Sequence, residues 1–299
     1  MFSRANGPAG LAGSLRVLAL LGILAAGFFS PALSAAPVEL RVMTFNIRWD
    51  GLDRDSSSWE QRKAGVVALL RKHAPDAFSL QEASPSQTQF LKNSLSNYRF
   101  FLSTHERAVY LPIFFREDRF RLDSHGSFWL VEESELQGGT RRCAWVRLVE
   151  KHSGRGLYIF NLHLDGRSPS SHELSVVELT RELSKRRFKD PVLVMGDFNA
   201  VETRPSISFV TGKTPLRDEN GRVLVNAIAL RDAVREIFPA GKAPGTAHGF
   251  KGNLDGPRID YIFVSDGITV RDVATVSDSM DGRFPSDHFP VVADIALSD

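Results

Sequence analysis

Cysteine is almost absent: Cys143 is the only one in 299 residues. One thiol closes no intramolecular disulfide, so a disulfide-stapled scaffold is excluded. Cys143 lies in the alternating run Arg-Arg-Cys-Ala-Trp-Val-Arg-Leu with no group nearby to activate it, and it reads as a small core residue rather than a nucleophile. Net charge is missing too. Lys and Arg number 37 against 35 acids, and the first 36 residues hold Arg4 and Arg16 but no acid, which leaves 35 of each sign after them. Nucleic-acid binders take much of their affinity from a basic surface, so the balance disfavours that class without removing a local patch. No low-complexity tract, long charge run or Pro/Gly-rich linker interrupts the chain. No His-x-x-x-His pair is present either, which argues against a zinc hydrolase helix.

The one long apolar run stands at the start. Arg4 and Arg16 form a basic region, Val17 to Phe29 is apolar or small, and Ser30-Pro31 precedes Leu33-Ser34-Ala35-Ala36-Pro37. That order describes a secretory signal cleaved near Ala35 or Ala36. An uncleaved anchor is the alternative, but the run is short for a span of about 20 apolar residues. The junction carries no cysteine and the basic region no twin arginine, so no lipid anchor is expected. Residues 1–36 are therefore read as a signal peptide and residues 37–299 as a single domain, exported to the periplasm or beyond. A chain of that size can rest on its core without disulfides.

Patterning then gives the elements. Glu39 to Ile47 alternates and is rich in Val, Met, Phe and Ile, as a strand should be. Ser58 and Gln61 have capping-box spacing at the head of a helix through about Arg71, which Ala74-Pro75-Asp76 stops. Ala77 to Gln81 is a second strand, ending at Glu82. Short aromatic-rich runs follow at Tyr98–Leu102, Ala108–Arg116, Ser127–Leu130, Cys143–Glu150 and Leu157–Leu162, and read as consecutive antiparallel strands. A helix is expected from about Ser171 to Arg187, capped by Ser170 with Glu173, then a strand at Val192–Met195. The last third gives a short helix at Leu230–Phe238 and strands at Ile259–Val264, Thr269–Val276 and Val291–Ala296. The architecture repeats: Asn46 and Glu82 are 36 residues apart, and so are Asn161 and Asp197, each pair spanning a strand–helix–strand unit. Two such units suggest similar sheets packed face to face, with helices outside and polar strand ends on one rim.

Those strand ends carry the chemistry. Asn46 and Glu82 follow apolar strands. His163 is two residues beyond Asn161, Asn199 two beyond Asp197, and each such pair shares a face. Asp260 opens a strand, and Asp287-His288 stands before the last one. Singly, each has a structural explanation as a turn or a solvated end. Together they offer oxygen ligands of the kind hard cations prefer, Mg²⁺ or Mn²⁺ with Ca²⁺ as an alternative, beside imidazoles suited to acid–base work.

Six ordered blocks complete the pattern: Met-Thr-Phe-Asn-Ile-Arg (43–48), Leu-Gln-Glu (80–82), Asn-Leu-His-Leu (161–164), Gly-Asp-Phe-Asn (196–199), Arg-Ile-Asp-Tyr-Ile (258–262) and Ser-Asp-His-Phe-Pro-Val (286–291). In this order the chain resembles the endonuclease/exonuclease/phosphatase superfamily over roughly Val38 to Leu297. The resemblance implies an α/β fold, a four-layer α/β/β/α sandwich of two mainly antiparallel sheets with outer helices. It implies metal binding by Glu82, Asn46 and Asp287. It also implies catalytic roles for Asp197 and Asn199 on the attacking water, for His288 oriented by Asp260, and for His163 at the phosphate. The reaction implied is in-line attack of water on a phosphate ester. Arg142 and His248 are weaker candidates for substrate binding, and His248 is as readily a surface imidazole. His73, His105, His125, His152 and His172 are read as surface, and Trp129 and Trp145 as core aromatics. A small phosphorylated substrate, such as a sugar or inositol phosphate, is expected ahead of nucleic acid or membrane lipid. No protein partner is evident, and a monomer is expected.

Overall fold

The computed structural model describes residues 36–298 except 54, 104–109 and 132–140. Its elements, in chain order, begin with β1 (Val38–Asn46), α1 (Trp59–His73), β2 (Ala77–Gln81), α2 (Pro85–Ser94), β3 (Tyr98–Phe101) and β4 (Ile113–Arg116). The middle holds β5 (Phe120–Val131), β6 (Arg141–Glu150), β7 (Gly156–His163), α3 (Pro169–Ser184), β8 (Val192–Asp197) and α4 (Pro205–Val210). The short β9 (Leu216–Arg217), β10 (Val223–Leu224), β11 (Arg231–Asp232) and α5 (Ala233–Ile237) precede β12 (Asp260–Val264), β13 (Ile268–Thr275) and β14 (Val291–Leu297).

Two six-stranded sheets result, ordered β13-β14-β1-β2-β4-β3 and β11-β12-β8-β7-β6-β5. The only parallel pairs among the described strands are β1–β2 and β7–β8. Parallel neighbours need a crossover, and α1 and α3 supply it. The strand–helix–strand repeat read from the sequence is therefore real, and the fold is the expected sandwich. Alternation along each strand sets the layers. Val38, Leu40 and Val42 of β1 join Leu193 and Met195 of β8 in one apolar cluster between the sheets. Met43, Phe45 and Ile47 turn outward against α1. On the other sheet Tyr158, Phe160 and Leu162 turn outward, into the cluster that holds the buried face of α3.

Local differences from expectation have local causes. Ser58 stands at the N-cap of α1, but its side chain makes no capping hydrogen bond. In α3 the cap is Ser168, two residues earlier than expected, and Pro169 takes the first turn, where its missing N–H costs nothing. The helix α2 was not anticipated, although Ser84 and Gln87 form a full capping box at its start. Cys143 is buried, as expected. The expected signal peptide, apart from Ala36, lies outside the described residues. Among the described residues no helix is long and apolar enough to cross a membrane.

Candidate active site

Followed along each strand, the face between the sheets changes from apolar to polar at the same rim. On β1 it runs Val42, Thr44, Asn46; on β7 Ile159, Asn161, His163; on β8 Leu193, Met195, Asp197. On the antiparallel β12 it runs Val264, Ile262, Asp260. Pairing places His163 opposite Asp197 and Asp197 opposite Asp260, so three functional groups stand abreast on neighbouring strands. Gly196 makes this approach possible: a Cβ there would lie 2.1 Å from the Leu162 carbonyl oxygen.

Asp197 is the hub. Its Oδ2 accepts from Asn46 Nδ2 at 3.0 Å, and its Oδ1 from the Asn199 backbone N–H at 2.8 Å. His163 Nε2 is 3.5 Å and His288 Nδ1 4.0 Å from Asp197 Oδ2. His288, reaching over from the segment before β14, bonds Asp260 Oδ2 through Nδ1 at 2.9 Å. Burial by itself would lower the His288 pKa, but the charge and hydrogen bond of Asp260, with Asp197 and Asp287 beyond, raise it to about 10. Burial also pushes Asp260 upward. The pair thus shares a firmly held proton, and we place it on the imidazole, which faces three carboxylates. Asn46 Nδ2 reaches Glu82 Oε1 at 3.2 Å, and Glu82 Oε2 accepts from the Trp49 N–H at 3.0 Å. Asn199 Nδ2 donates to the Leu164 carbonyl at 2.9 Å. Of the ten site residues named from the sequence, eight therefore meet at this rim: Asn46, Glu82, His163, Asp197, Asn199, Asp260, Asp287 and His288.

The other two sit differently. Arg142 lies on the inter-sheet face two residues before Ala144, but its guanidinium bonds Ser127 and packs 4.2 Å from the Trp129 ring centroid. His248 is not a surface imidazole. It is 5% exposed and stacked on Phe289 at 3.7 Å. Burial lowers its pKa to about 4, which keeps it neutral, and Nδ1 accepts from the Gly252 N–H. His172 is buried as well, bonded to the Asp165 carbonyl, and His73 is half-buried against Asp278, so both depart from the surface reading. His105 lies outside the described residues.

Three residues that support the site went unread in the sequence. Arg48 bonds Asp287 Oδ2 at 2.6 Å while its other donors hold Asp53. Arg62, 4% exposed, donates to the carbonyls of Ile47, Arg48, Ser57 and Pro285, tying the end of β1 to the Asp287 segment. Thr246 is fully buried. Its Oγ accepts the N–H groups of Ile259 and Asp260 at 3.0 and 3.1 Å, and its carbonyl accepts from Phe289 at 2.7 Å. One residue thereby fixes both ends of the Asp260–His288 pair. Thr246→Val keeps the shape but strands two N–H groups, at a cost of about 1–3 kcal/mol. It is expected to lower kcat more than KM, and Thr246→Ser to restore kcat. Equal kinetics in Thr246→Val and wild type would show that the clasp does not position the pair.

The donor set suits a hard divalent cation: carboxylates and an amide oxygen, with no thiol. Asp197, Asp260 and His288 offer ligand atoms within 4.8 Å of one another, and Asp260 Oδ1 is buried without a hydrogen-bond partner among the described residues. Glu82 and Asp287 add carboxylates through Asn46 and the neighbouring His288.

Comparison with known proteins agrees with this geometry. Residues 43–288 match the Endonuclease/Exonuclease/phosphatase family. A mannosyl-6-phosphatase of Bacteroides thetaiotaomicron is similar at 25% identity and a TM-score of 0.73, over 86% of this chain and 99% of that one. A family protein from the same organism superposes with a TM-score of 0.75 at 24% identity, covering 88% of this chain and 99% of the other. Drosophila melanogaster nocturnin is 25% identical over 221 residues, which is 61% of this chain and 33% of that protein. The first curated relatives are much longer than the match: the chain spans 18% of one and 33% of another. With the matched region running from the β1 block that holds Asn46 to His288, the chain belongs to the endonuclease/exonuclease/phosphatase family.

Proposed function

We propose that the protein is an exported phosphomonoesterase acting on a small phosphorylated polyol, a sugar phosphate in the first instance. The observation that carries this reading is the similarity to the Bacteroides mannosyl-6-phosphatase, which extends over 99% of that chain. The balanced charge after residue 36 supports it, since no excess of basic residues favours a polyanion. A nucleic-acid phosphodiesterase is the second reading, supported by 25% identity to Xenopus tropicalis tyrosyl-DNA phosphodiesterase 2 over 85% of this chain.

In the proposed reaction Asp197 accepts a hydrogen bond from the attacking water and aims its oxygen at phosphorus, with Asn199 fixing the carboxylate from below. His288 keeps its proton at neutral pH, held by Asp260. It therefore serves as positive charge and acid, which leaves Asp197 as the acceptor. His163, 3.5 Å from Asp197, stands where it can donate to a non-bridging phosphoryl oxygen as charge develops. Glu82, Asn46 and Asp287 would hold Mg²⁺ or Mn²⁺, which as a Lewis acid offsets charge on phosphate oxygens. Mannose 6-phosphate, inositol phosphates, plasmid DNA and sphingomyelin, each incubated with protein and Mg²⁺, separate the readings. Phosphate release from the sugar ester alone is expected. Nicking of DNA without release of phosphate from any monoester overturns the proposal.

A further inference from the structure

A cleft of about 550 Å³ is lined by residues that adjoin, in sequence or contact, those supporting the catalytic rim. Pro285 lines it, and two residues on the same segment presents Asp287. Arg62 also borders it, with four of its five N–H groups given to carbonyls, so it builds the wall and has little left for a ligand. Phe250 forms part of the lining in a left-handed conformation, φ +62°. A bulky residue is held there only against strain. That conformation places its ring 5.7 Å from the Arg48 guanidinium, which in turn grips Asp287. Phe284 supplies a second half-buried ring.

Met280 adds a further apolar side chain, and three polar side chains of the lining are uncommitted. Gln61, Asp281 and Arg283 are exposed to the cleft, and their side chains make no hydrogen bond or ion pair with another described residue. The cleft thus offers one guanidinium, one carboxylate and one amide. Such a lining suits a second phosphate poorly, because that would call for an excess of cations. It suits a neutral ring that carries hydroxyls as both donors and acceptors, with its apolar face against an aromatic one.

We propose that this cleft seats the alcohol half of the ester, a polyhydroxylated ring lying against Phe250, with its hydroxyls on Gln61, Asp281 and Arg283. The inference rests on the monoesterase reading above and adds the place where selectivity arises. The test compares kcat/KM for mannose 6-phosphate with that for methyl phosphate, whose alcohol is too small to enter the cleft. Wild type is expected to prefer the sugar ester. Gln61→Ala and Arg283→Ala, both exposed and expected to keep the wild-type Tm, are each expected to reduce that ratio about tenfold, chiefly through KM, as the loss of one ligand hydrogen bond implies. A preference that survives in both variants, or a wild type with no preference, overturns the cleft assignment while leaving the monoesterase reading intact. Failure of the wild type on both esters overturns the monoesterase reading itself and this inference with it.

Discussion

Asp197→Asn is expected to lower kcat by about three orders of magnitude or more, the scale on which a well-placed charged group contributes to a phosphoryl transition state. The substitution preserves shape, so the loss isolates the charge. Asp197 Oδ1 already accepts from Asn199 N and Oδ2 from Asn46 Nδ2. Whichever way the new amide turns, it sets one N–H₂ against an N–H donor. His163 loses the carboxylate 3.5 Å from its Nε2, and His288 loses one of its anionic neighbours while keeping Asp260. Stability should move little by comparison. The facing donors cost about 1–3 kcal/mol, and relief of repulsion with Asp260, whose carboxylate is close enough to share an ion with Asp197, offsets part of that. Phosphate release measured beside thermal denaturation in EDTA checks both halves. A variant keeping a tenth of wild-type kcat would remove Asp197 from the centre of the mechanism.

Chelation is the second large effect. EDTA is expected to abolish turnover, and Mg²⁺ or Mn²⁺ to restore it. Glu82 is the residue whose geometry most suggests why. Its backbone is left-handed, φ +60°, a conformation that costs a non-glycine residue about 1–3 kcal/mol when held at a functional site. The bend turns the carboxylate onto Asn46 Nδ2 and the Trp49 N–H, at the rim instead of along the strand. Glu82→Gln removes the charge and one of the two accepting oxygens, so it keeps either the Asn46 or the Trp49 contact but not both. The Mg²⁺ concentration for half-maximal activity is expected to rise about 10–100-fold, at least the cost usual for disturbing a ligand's surroundings, with kcat at saturating Mg²⁺ far less affected. A superimposable Mg²⁺ titration in the variant would take Glu82 out of the metal site.

Most of the rim was legible because strand ends break their own pattern. An inward-facing position that should continue Val42 and Thr44 holds Asn46, and one that should continue Leu193 and Met195 holds Asp197. Period-two alternation exposes such a break wherever a buried face meets solvent. Arg48, Arg62 and Thr246 escaped because their partners are remote in sequence. Arg62 holds Pro285 across 223 positions, and Thr246 collects N–H groups from Ile259 and Asp260 after a turn. No local pattern announces a side chain that bonds distant backbone. Burial of His248 and His172 was hidden for a related reason: both lie in loops or helix starts of polar composition, and tertiary packing alone covers them. The helix α2 was overlooked despite its capping box, because Pro-Ser-Gln-Thr-Gln contributes little apolar periodicity.

The division of the rim between two sheets has a consequence for how activity arises during folding. Asn46, Glu82 and His288 come from the β1–β2–β14 side, whereas His163, Asp197 and Asp260 come from β7, β8 and β12. Neither sheet alone holds a complete constellation, and the bonds that complete it, Asn46 to Asp197 and His288 to Asp260, both cross the interface. Catalysis therefore reports docking of the two sheets. During refolding, turnover should lag behind the recovery of secondary structure, since Asn46 and Asp197 stand 151 positions apart and contacts of such separation close late. The enzyme is a sensor of its own last assembly step.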